Sequence, residues 1–176
     1  EKRALKVKNT GGVYIVPAFA GLGAPHWDMN ARGSILGITR GTNSNHIIRA
    51  ALESIAYQTN DVISAIDQDM AQISSSGKIH SLKVDGGASA NGLLMQLQAD
   101  ISDIDVKTSV SAEATALGAA YLAGLAVGFF KNREELKAKN GSSNTYTPSI
   151  GTKKRKAMLD GWNRAVRACR AFTTEE

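Results

Sequence analysis

The chain has 176 residues, of which 43% are hydrophobic and 21% are charged, a composition typical of one globular domain or slightly more with a buried core. Its most apolar stretch, residues 114–130, contains three glycines and is short for a membrane span, and we see no basic-then-apolar leader. The single cysteine, Cys169, cannot form an internal disulfide, so we expect a reducing, cytoplasmic compartment.

Four consecutive basic residues, 153–156, contribute to the net charge of +5. Such a run can bind the phosphates of a nucleic acid or a nucleotide. It can equally be the solvated first turn of a terminal helix. Because no aromatic or glycine-rich nucleic-acid motif accompanies it, we favour the helix turn and expect no nucleic-acid partner.

The first half of the chain predicts two short strands, a long loop and one long helix. Residues 1–11 are polar and charged, as in a tail or linker. Apolar residues at helical spacing predict the helix, and the polar turn before it supplies candidate N-caps. The predicted segments are a strand at 13–16, a Gly/Pro/Ala-rich loop at 17–33, a strand at 34–38, a turn at 41–45 and a helix at 45–68.

The second half predicts further strands and helices in alternation. The segments are a break at 74–77, a strand at 79–84, a glycine loop at 85–90, a helix carrying Leu93, Leu94, Leu97 and Ile101, a strand at 105–108, a small-residue helix at 112–128, a polar connection at 139–152 and a last helix at 158–172. This alternation is typical of an α/β layer structure.

The sequence offers no self-sufficient catalytic site. The three histidines are far apart and only one cysteine is present, so no zinc spacing occurs, and the nucleophile-elbow, phosphate-loop and dinucleotide motifs are missing. The remaining candidates are scattered carboxylates, which we interpret mostly as caps or surface charges: Asp28, Glu53, Asp61, Asp85 and Glu113. We therefore assign no catalytic residue and no metal ligand.

The stretch VDGGASANG, residues 84–92, carries the clearest site signal. It takes a strand through two glycines and small residues directly into a helix, which lets a ligand approach the backbone closely. Open α/β sheets bind ligands at the carboxyl ends of strands, and a helix N-terminus offers free amide donors there. Asn91 adds an amide group suited to a purine edge. A tight strand-to-helix connection packed on a neighbouring helix would use the same residues.

A second small-residue segment, residues 115–128, favours a site near a hinge. Its glycines and alanines leave almost no bulk on one side of the predicted helix, and each glycine costs about 1 kcal/mol in a helix. Close packing between two lobes would explain that cost.

These segments together resemble the carboxyl-terminal lobe of the glycerol kinases of the FGGY carbohydrate kinase family, within the actin and hexokinase-like superfamily. The resemblance covers residues 12–172, with residues 173–176 as a tail, and residues 33–53 look like the family's carboxyl-terminal signature. Two departures are His26, where this family usually has tyrosine, and a few extra residues around 68–76. The implied fold is an α/β, ribonuclease H-like or actin-like ATPase lobe, incomplete at its N-terminal side.

The resemblance also implies roles and partners. Gly87 would let adenosine lie against the backbone, and Asn91 would bond the adenine. The parent protein would use ATP or ADP with Mg²⁺ and glycerol. Its catalytic aspartate, first phosphate loop and glycerol ligands would lie before residue 1, together with a second, Thr/Gly-rich phosphate loop that begins the carboxyl-terminal lobe. We expect a homo-oligomer, and we expect the isolated chain to be inactive. The alternatives are another FGGY sugar or polyol kinase, such as a xylulokinase-like enzyme, and a non-catalytic assembly module.

Overall fold

A computed structural model of the chain describes residues 1–73, 77–109, 113–139 and 142–172. Within these ranges, five strands and five α-helices run in the order β1 (Tyr14–Val16), β2 (Ser34–Leu36), α1 (Ser44–Ile73), β3 (Ser81–Val84), α2 (Gly92–Ser102), β4 (Asp105–Ser109), α3 (Ala114–Ala126), α4 (Arg133–Lys139), β5 (Ser142–Tyr146) and α5 (Thr152–Ala171). The alternation of strands and helices that the sequence predicts is therefore present.

The main core forms where α1, α2 and α5 meet the antiparallel β1–β2 pair and the loop that joins these two strands. The apolar face of α5 supplies Trp162, Ala165, Val166 and Cys169, spaced so that they lie on one side of the helix. Tyr57 of α1 stacks on Trp162, with ring centroids 5.2 Å apart. Burial of these large side chains holds the three helices together.

Strands β1 and β2 form a two-stranded sheet, and a separate three-stranded sheet has the order β3–β4–β5. The predicted ligand loop follows strand β3. Strands β3 and β4 are parallel, and β5 is antiparallel to β4. A smaller apolar cluster joins one face of this sheet to α2: Leu94, Met95, Ala99 and Val106 are buried, and Leu82, Val84 and Tyr146 pack against them. Among the described residues, β3 pairs with β4 alone, so its other edge is open.

Helix α3 has no buried residue, although its sequence predicts close packing. A Cβ added at Gly118 would meet nothing within 4 Å. A Cβ at Gly124 would instead come within 2.6 Å of the Phe130 ring, so this glycine does have a packing reason. Leu122 is 68% exposed. The close approach between helices that we expected on this segment is therefore not seen in the part of the chain that the structure describes.

Residues 1–11, expected as a tail or linker, lie against α1 and α2 in the structure. Ala4 is fully buried in a 3-10 turn, and the guanidinium of Arg49 donates to the carbonyl oxygen of Val7 at 3.1 Å. The Glu1 carboxylate accepts a hydrogen bond from the backbone amide of Leu93. The domain boundary at residue 12 stays a prediction.

Several predicted boundaries differ from the structure. Helix α1 continues to Ile73, five residues beyond the prediction, and α5 begins at Thr152. The predicted polar connection at 139–152 contains β5, which pairs with β4, and α4 precedes it. Strand β2 ends at Leu36, since Gly37 has φ +80° and so leaves the extended conformation. A Cβ at position 37 would overlap the Gly12 carbonyl. Part of the predicted break, residues 74–76, lies outside the described residues.

Candidate functional site

The glycine loop leaves the carboxyl end of β3 and enters α2 through one tight turn. Gly86 has φ +81°, a conformation that favours glycine, and it begins the 3-10 turn Gly87–Ala90. Ser89 fixes the turn, since its backbone amide and its hydroxyl both donate to the Gly86 carbonyl oxygen, at 3.1 and 2.7 Å. The strand–glycine turn–helix order predicted for this stretch is therefore present.

Gly87 has open space on its exposed side. A Cβ built there would meet no atom within 4 Å, and its φ lies outside the positive range. The fold of this chain therefore does not require a glycine at position 87, in contrast to position 86. A ligand lying against the backbone would require one, because a side chain at 87 would project into its place.

Asn91 is the N-cap of α2. Its Oδ1 accepts a hydrogen bond from the backbone amide of Leu94 at 3.1 Å, and its own carbonyl oxygen accepts from the amide of Met95. The Leu93 amide is also occupied, by the Glu1 carboxylate at 3.1 Å. The free helix amides that we expected at this N-terminus are thus partly satisfied within the chain. The Nδ2 group of Asn91 makes no hydrogen bond to any described residue, and it is the part of this side chain left for a ligand.

A cavity of about 570 Å³ opens where β3 and β4 end. Its lining combines the strand ends with the N-terminal half of α3: Lys83, Val84, Asp85, Lys107, Thr108, Ser109, Ala114, Leu117, Gly118 and Tyr121. Neither Gly87 nor Asn91 lines it. The cavity and the glycine loop are neighbours along the chain but present different residues to a ligand. The sequence alone did not single out the two lysines.

Glu53, which we interpreted as one of several scattered carboxylates, is a buried structural group. It is 4% exposed, and it accepts hydrogen bonds from Arg49 Nε at 3.0 Å and from the Tyr57 hydroxyl at 3.2 Å. Burial raises the pKa of the Glu53 carboxyl, and Arg49 opposes that rise. Burial also raises the pKa of the Tyr57 hydroxyl. The spacing of four residues between Arg49, Glu53 and Tyr57 on a predicted helix was the available signal.

Asp61 joins three elements. Its Oδ2 accepts from Trp162 Nε1 at 2.7 Å and lies 3.2 Å from His26 Nε2, so it ties α1 to α5 and to the loop at 17–33. Asp28 accepts from Arg170 Nε at 2.9 Å and from the amides of Asn30 and Ala31. The hydrogen bond from Arg170 is the largest cause that lowers the pKa of the Asp28 carboxyl. These carboxylates hold the fold together.

The other candidate groups form no catalytic or metal constellation in the described ranges. His46 Nδ1 accepts from the Asn43 amide at 3.2 Å, and His80 is exposed. Within residues 1–73, 77–109, 113–139 and 142–172, no group of three His, Cys, Asp or Glu side chains could hold a metal ion. The basic run at 153–156 forms part of the first turns of α5, where Arg155 pairs with Asp103 and Lys156 pairs with Asp160.

Comparison with known proteins places the chain in one family. The profile of the "FGGY family of carbohydrate kinases, C-terminal domain" matches residues 1–127. The glycerol kinase of Carboxydothermus hydrogenoformans is 57% identical over 173 residues, covering 98% of this chain and 34% of that protein. The chain thus spans about a third of the length of the curated relatives it matches.

Solved structures have the same fold. A Plasmodium falciparum glycerol kinase with ADP superposes with a TM-score of 0.85 at 38% identity, covering 96% of this chain and 33% of that one. A ligand-bound xylulose kinase from Lactobacillus acidophilus gives a TM-score of 0.78 at 24% identity, over 98% of this chain and 34% of that one. The α/β, ribonuclease H-like or actin-like ATPase fold is therefore confirmed, and the chain belongs to the FGGY family of carbohydrate kinases.

Proposed function

We propose that this chain is the carboxyl-terminal part of an ATP-dependent glycerol kinase and forms the adenosine-binding wall of its nucleotide site. The parent protein would transfer the γ-phosphoryl group of ATP to glycerol and give glycerol 3-phosphate. The observation that carries the proposal is the open backbone at Gly87, at the carboxyl end of a parallel strand, in a chain 57% identical to a glycerol kinase.

In this proposal Gly87 and Asn91 act on the adenosine. The adenosine would lie against the backbone at Gly87, and Asn91 would donate from Nδ2 to the adenine, because its Oδ1 already caps α2. The catalytic base, the first phosphate loop and the glycerol ligands would come from the other lobe of the parent protein, and the second phosphate loop from the beginning of the carboxyl-terminal lobe. Phosphoryl transfer depends almost wholly on positioning and charge stabilisation, so one wall of the cleft does not suffice.

We include Mg²⁺ among the cofactors and glycerol among the substrates on the family resemblance. Mg²⁺ would bridge the phosphates of the nucleotide and neutralise charge as it develops. The described residues offer no three-ligand cluster for it, so no residue is assigned to the metal.

No helix in the described ranges has the length and apolar character that a membrane crossing requires. A cytoplasmic location remains part of the proposal.

Asn91 variants test the adenine contact and separate it from helix capping. Asn91→Asp keeps an oxygen for the Leu94 amide but lacks the donor, whereas Asn91→Ala loses both. In the full-length parent, both variants should weaken ATP binding relative to GTP binding by about 2- to 12-fold, equivalent to one net hydrogen bond of about 0.5 to 1.5 kcal/mol. Only Asn91→Ala should also lose about 1 kcal/mol of stability.

The measurements are nucleotide affinity, turnover number and thermal stability. A collapse of the turnover number with unchanged nucleotide affinity would place Asn91 in the chemical step instead. Adenine discrimination that Asn91→Asp retains in full would leave Asn91 with the capping role alone.

Gly87→Val tests the close backbone approach. Because the added side chain meets no protein atom within 4 Å of its Cβ, we expect little loss of thermal stability and a large loss of ATP affinity in the full-length parent. Gly86→Val is the matched control, since φ +81° makes that substitution strained and therefore destabilising. Unchanged affinity in Gly87→Val would contradict the adenosine assignment.

The isolated chain should have no kinase activity and at most millimolar affinity for ATP, about −4 kcal/mol. A coupled assay with saturating glycerol and magnesium ATP measures this. Turnover above background that Asn91→Ala abolishes would show that the chain contains its own catalytic group.

Activity of the parent on xylulose or another polyol, without activity on glycerol, would favour the other kinases of the family.

Two observations favour the rival assembly role. One edge of β3 pairs with no strand among the described residues, and Phe19 and Trp27 are 87% and 75% exposed. We retain homo-oligomer formation as part of the proposal. Sedimentation with and without ATP distinguishes the roles, since a pure assembly module should associate without any response to the nucleotide.

A further inference from the structure

Two lysines lie side by side on one face of the β3–β4–β5 sheet. Lys83 of β3 and Lys107 of β4 are direct partners in the parallel register. Side chains alternate along a strand, and Leu82, Val84 and Val106 pack with α2 on one face, so both lysines lie on the opposite face. Both line the cavity of about 570 Å³.

The pairing of Lys83 with Lys107 lowers the stability of the sheet unless a negative charge neutralises it. Like charges directly opposite each other on a sheet repel. Neither ammonium group makes an ion pair or hydrogen bond with any residue in the described ranges. Among the described residues that line the cavity, Asp85 is the one carboxylate, so their charged side chains sum to one positive charge. A cavity lined in this way attracts anions.

Helix α3 forms the opposite wall and leaves room for a ligand. Ala114, Leu117 and Gly118 are small or apolar, and a Cβ at Gly118 would still meet only open space. These three residues carry no charge, so the wall that α3 forms contains nothing that would repel an anion bound by the lysines.

We infer that this cavity binds a phosphate-bearing small molecule, with Lys83 and Lys107 holding the phosphate. Lysine is a common phosphate ligand, and two ammonium groups on neighbouring strands can contact one phosphate together. Protection of an open sheet edge would explain Lys83 alone. It does not explain Lys107, which lies on the central strand of the sheet.

This inference requires no adenosine contact at Gly87 or Asn91, so it can succeed or fail independently of the proposed function. The phosphate could belong to the polyphosphate of a nucleotide or to a separate phosphorylated compound. Both sources share the chemistry that the lysines would recognise, and a competition experiment separates them.

The test is a calorimetric titration of the chain with inorganic pyrophosphate at low ionic strength. The double variant Lys83→Met/Lys107→Met should bind at least tenfold more weakly, because hydrogen bonds to charged groups are the strong ones. The control Lys2→Met/Lys153→Met makes the same change in net charge at two exposed lysines outside the cavity, and it should bind as the unchanged chain does. No pyrophosphate binding by the unchanged chain, or equal loss in both double variants, would overturn the inference.

Lys107→Glu separates the ligand effect from folding. The new carboxylate would face Lys83 across the strands as an opposite charge, so the melting temperature should stay level or rise while pyrophosphate binding is lost. Retained binding in Lys107→Glu would contradict the site. In the unchanged chain, displacement of pyrophosphate by ADP but not by adenosine would assign the phosphate to a nucleotide. Binding that ADP does not displace would assign it to a separate compound.

Discussion

Two regions of this molecule, one around α5 and one around β3 and β4, differ in how completely their residues are buried. Around α5, Trp162 and Tyr57 stack in a core that α1, α2 and the β1–β2 pair enclose. Around β3 and β4, a smaller cluster covers one face of the sheet, while the other face carries two lysines, a cavity and a helix without buried residues. Stability therefore resides mainly in the first region, and the candidate binding surfaces lie in the second.

Truncation of Trp162 should produce the largest effect. Trp162→Ala removes a side chain that is 1% exposed, its stacking on Tyr57 and its hydrogen bond to Asp61, so we expect a loss of about 3 to 5 kcal/mol in the free energy of unfolding. Urea unfolding measures it. The matched control is Trp27→Ala, at a side chain 75% exposed, which should change the stability by no more than about 0.5 kcal/mol. Similar losses in both variants would show that the core around α5 is not the main source of stability.

Replacement of Glu53 should have the next largest effect, with a defined dependence on pH. Glu53→Gln leaves either Arg49 or Tyr57 without an acceptor, which should cost about 1 to 3 kcal/mol. Because the folded pKa of Glu53 is raised, its stabilising contribution is complete below the unfolded pKa and declines as pH rises through the folded pKa.

The gap in stability between the unchanged chain and Glu53→Gln should therefore be largest under acidic conditions and narrow as pH rises. Urea unfolding at several pH values above and below the ordinary pKa of a glutamate measures this gap. A gap that widens with rising pH would mean that Arg49 outweighs burial and lowers the pKa of Glu53.

Substitution of Gly118 should have the smallest effect, and it should be favourable. Gly118→Ala adds a methyl group in open space within α3, so helix propensity should raise the stability by up to about 1 kcal/mol. Gly124→Ala in the same helix meets the Phe130 ring and should gain less or lose stability. Thermal unfolding of the two variants compares them. An equal gain in both would show that Phe130 moves freely away from α3.

Local sequence patterns predicted those helices and strands that have an apolar period of their own or a neighbouring glycine. The apolar period of α1 and the short strands next to glycines appear in the structure, with ends shifted by a few residues. Strand β5 was missed because SSNTY has no hydrophobic alternation, and its pairing with β4 is what makes it a strand. Pairing of this kind joins residues about 40 positions apart, as between Val106 and Tyr146, and no local pattern records it.

The features of the candidate site also fall into two groups, those that depend on neighbouring residues and those that depend on residues distant in the chain. The strand, the glycine turn and Asn91 at the start of a helix could be read from residues 84–92, because each depends on neighbouring residues alone. The occupation of the Leu93 amide by Glu1 could not be predicted, because it joins residues 92 positions apart. The same holds for Asp61, which Trp162 contacts from a distance of 101 positions.

The sequence by itself determined the family resemblance, the α/β alternation and the position of the glycine loop. These depend on residue order and on short-range rules of chain geometry. Only the tertiary structure decided that Glu53 is buried, that Gly87 is open while Gly86 is conformationally required, and that Lys83 lies beside Lys107. The physical reason is that burial, cavity shape and the spacing of charges arise from segments distant in the chain, which meet only when the strands pair and the helices pack.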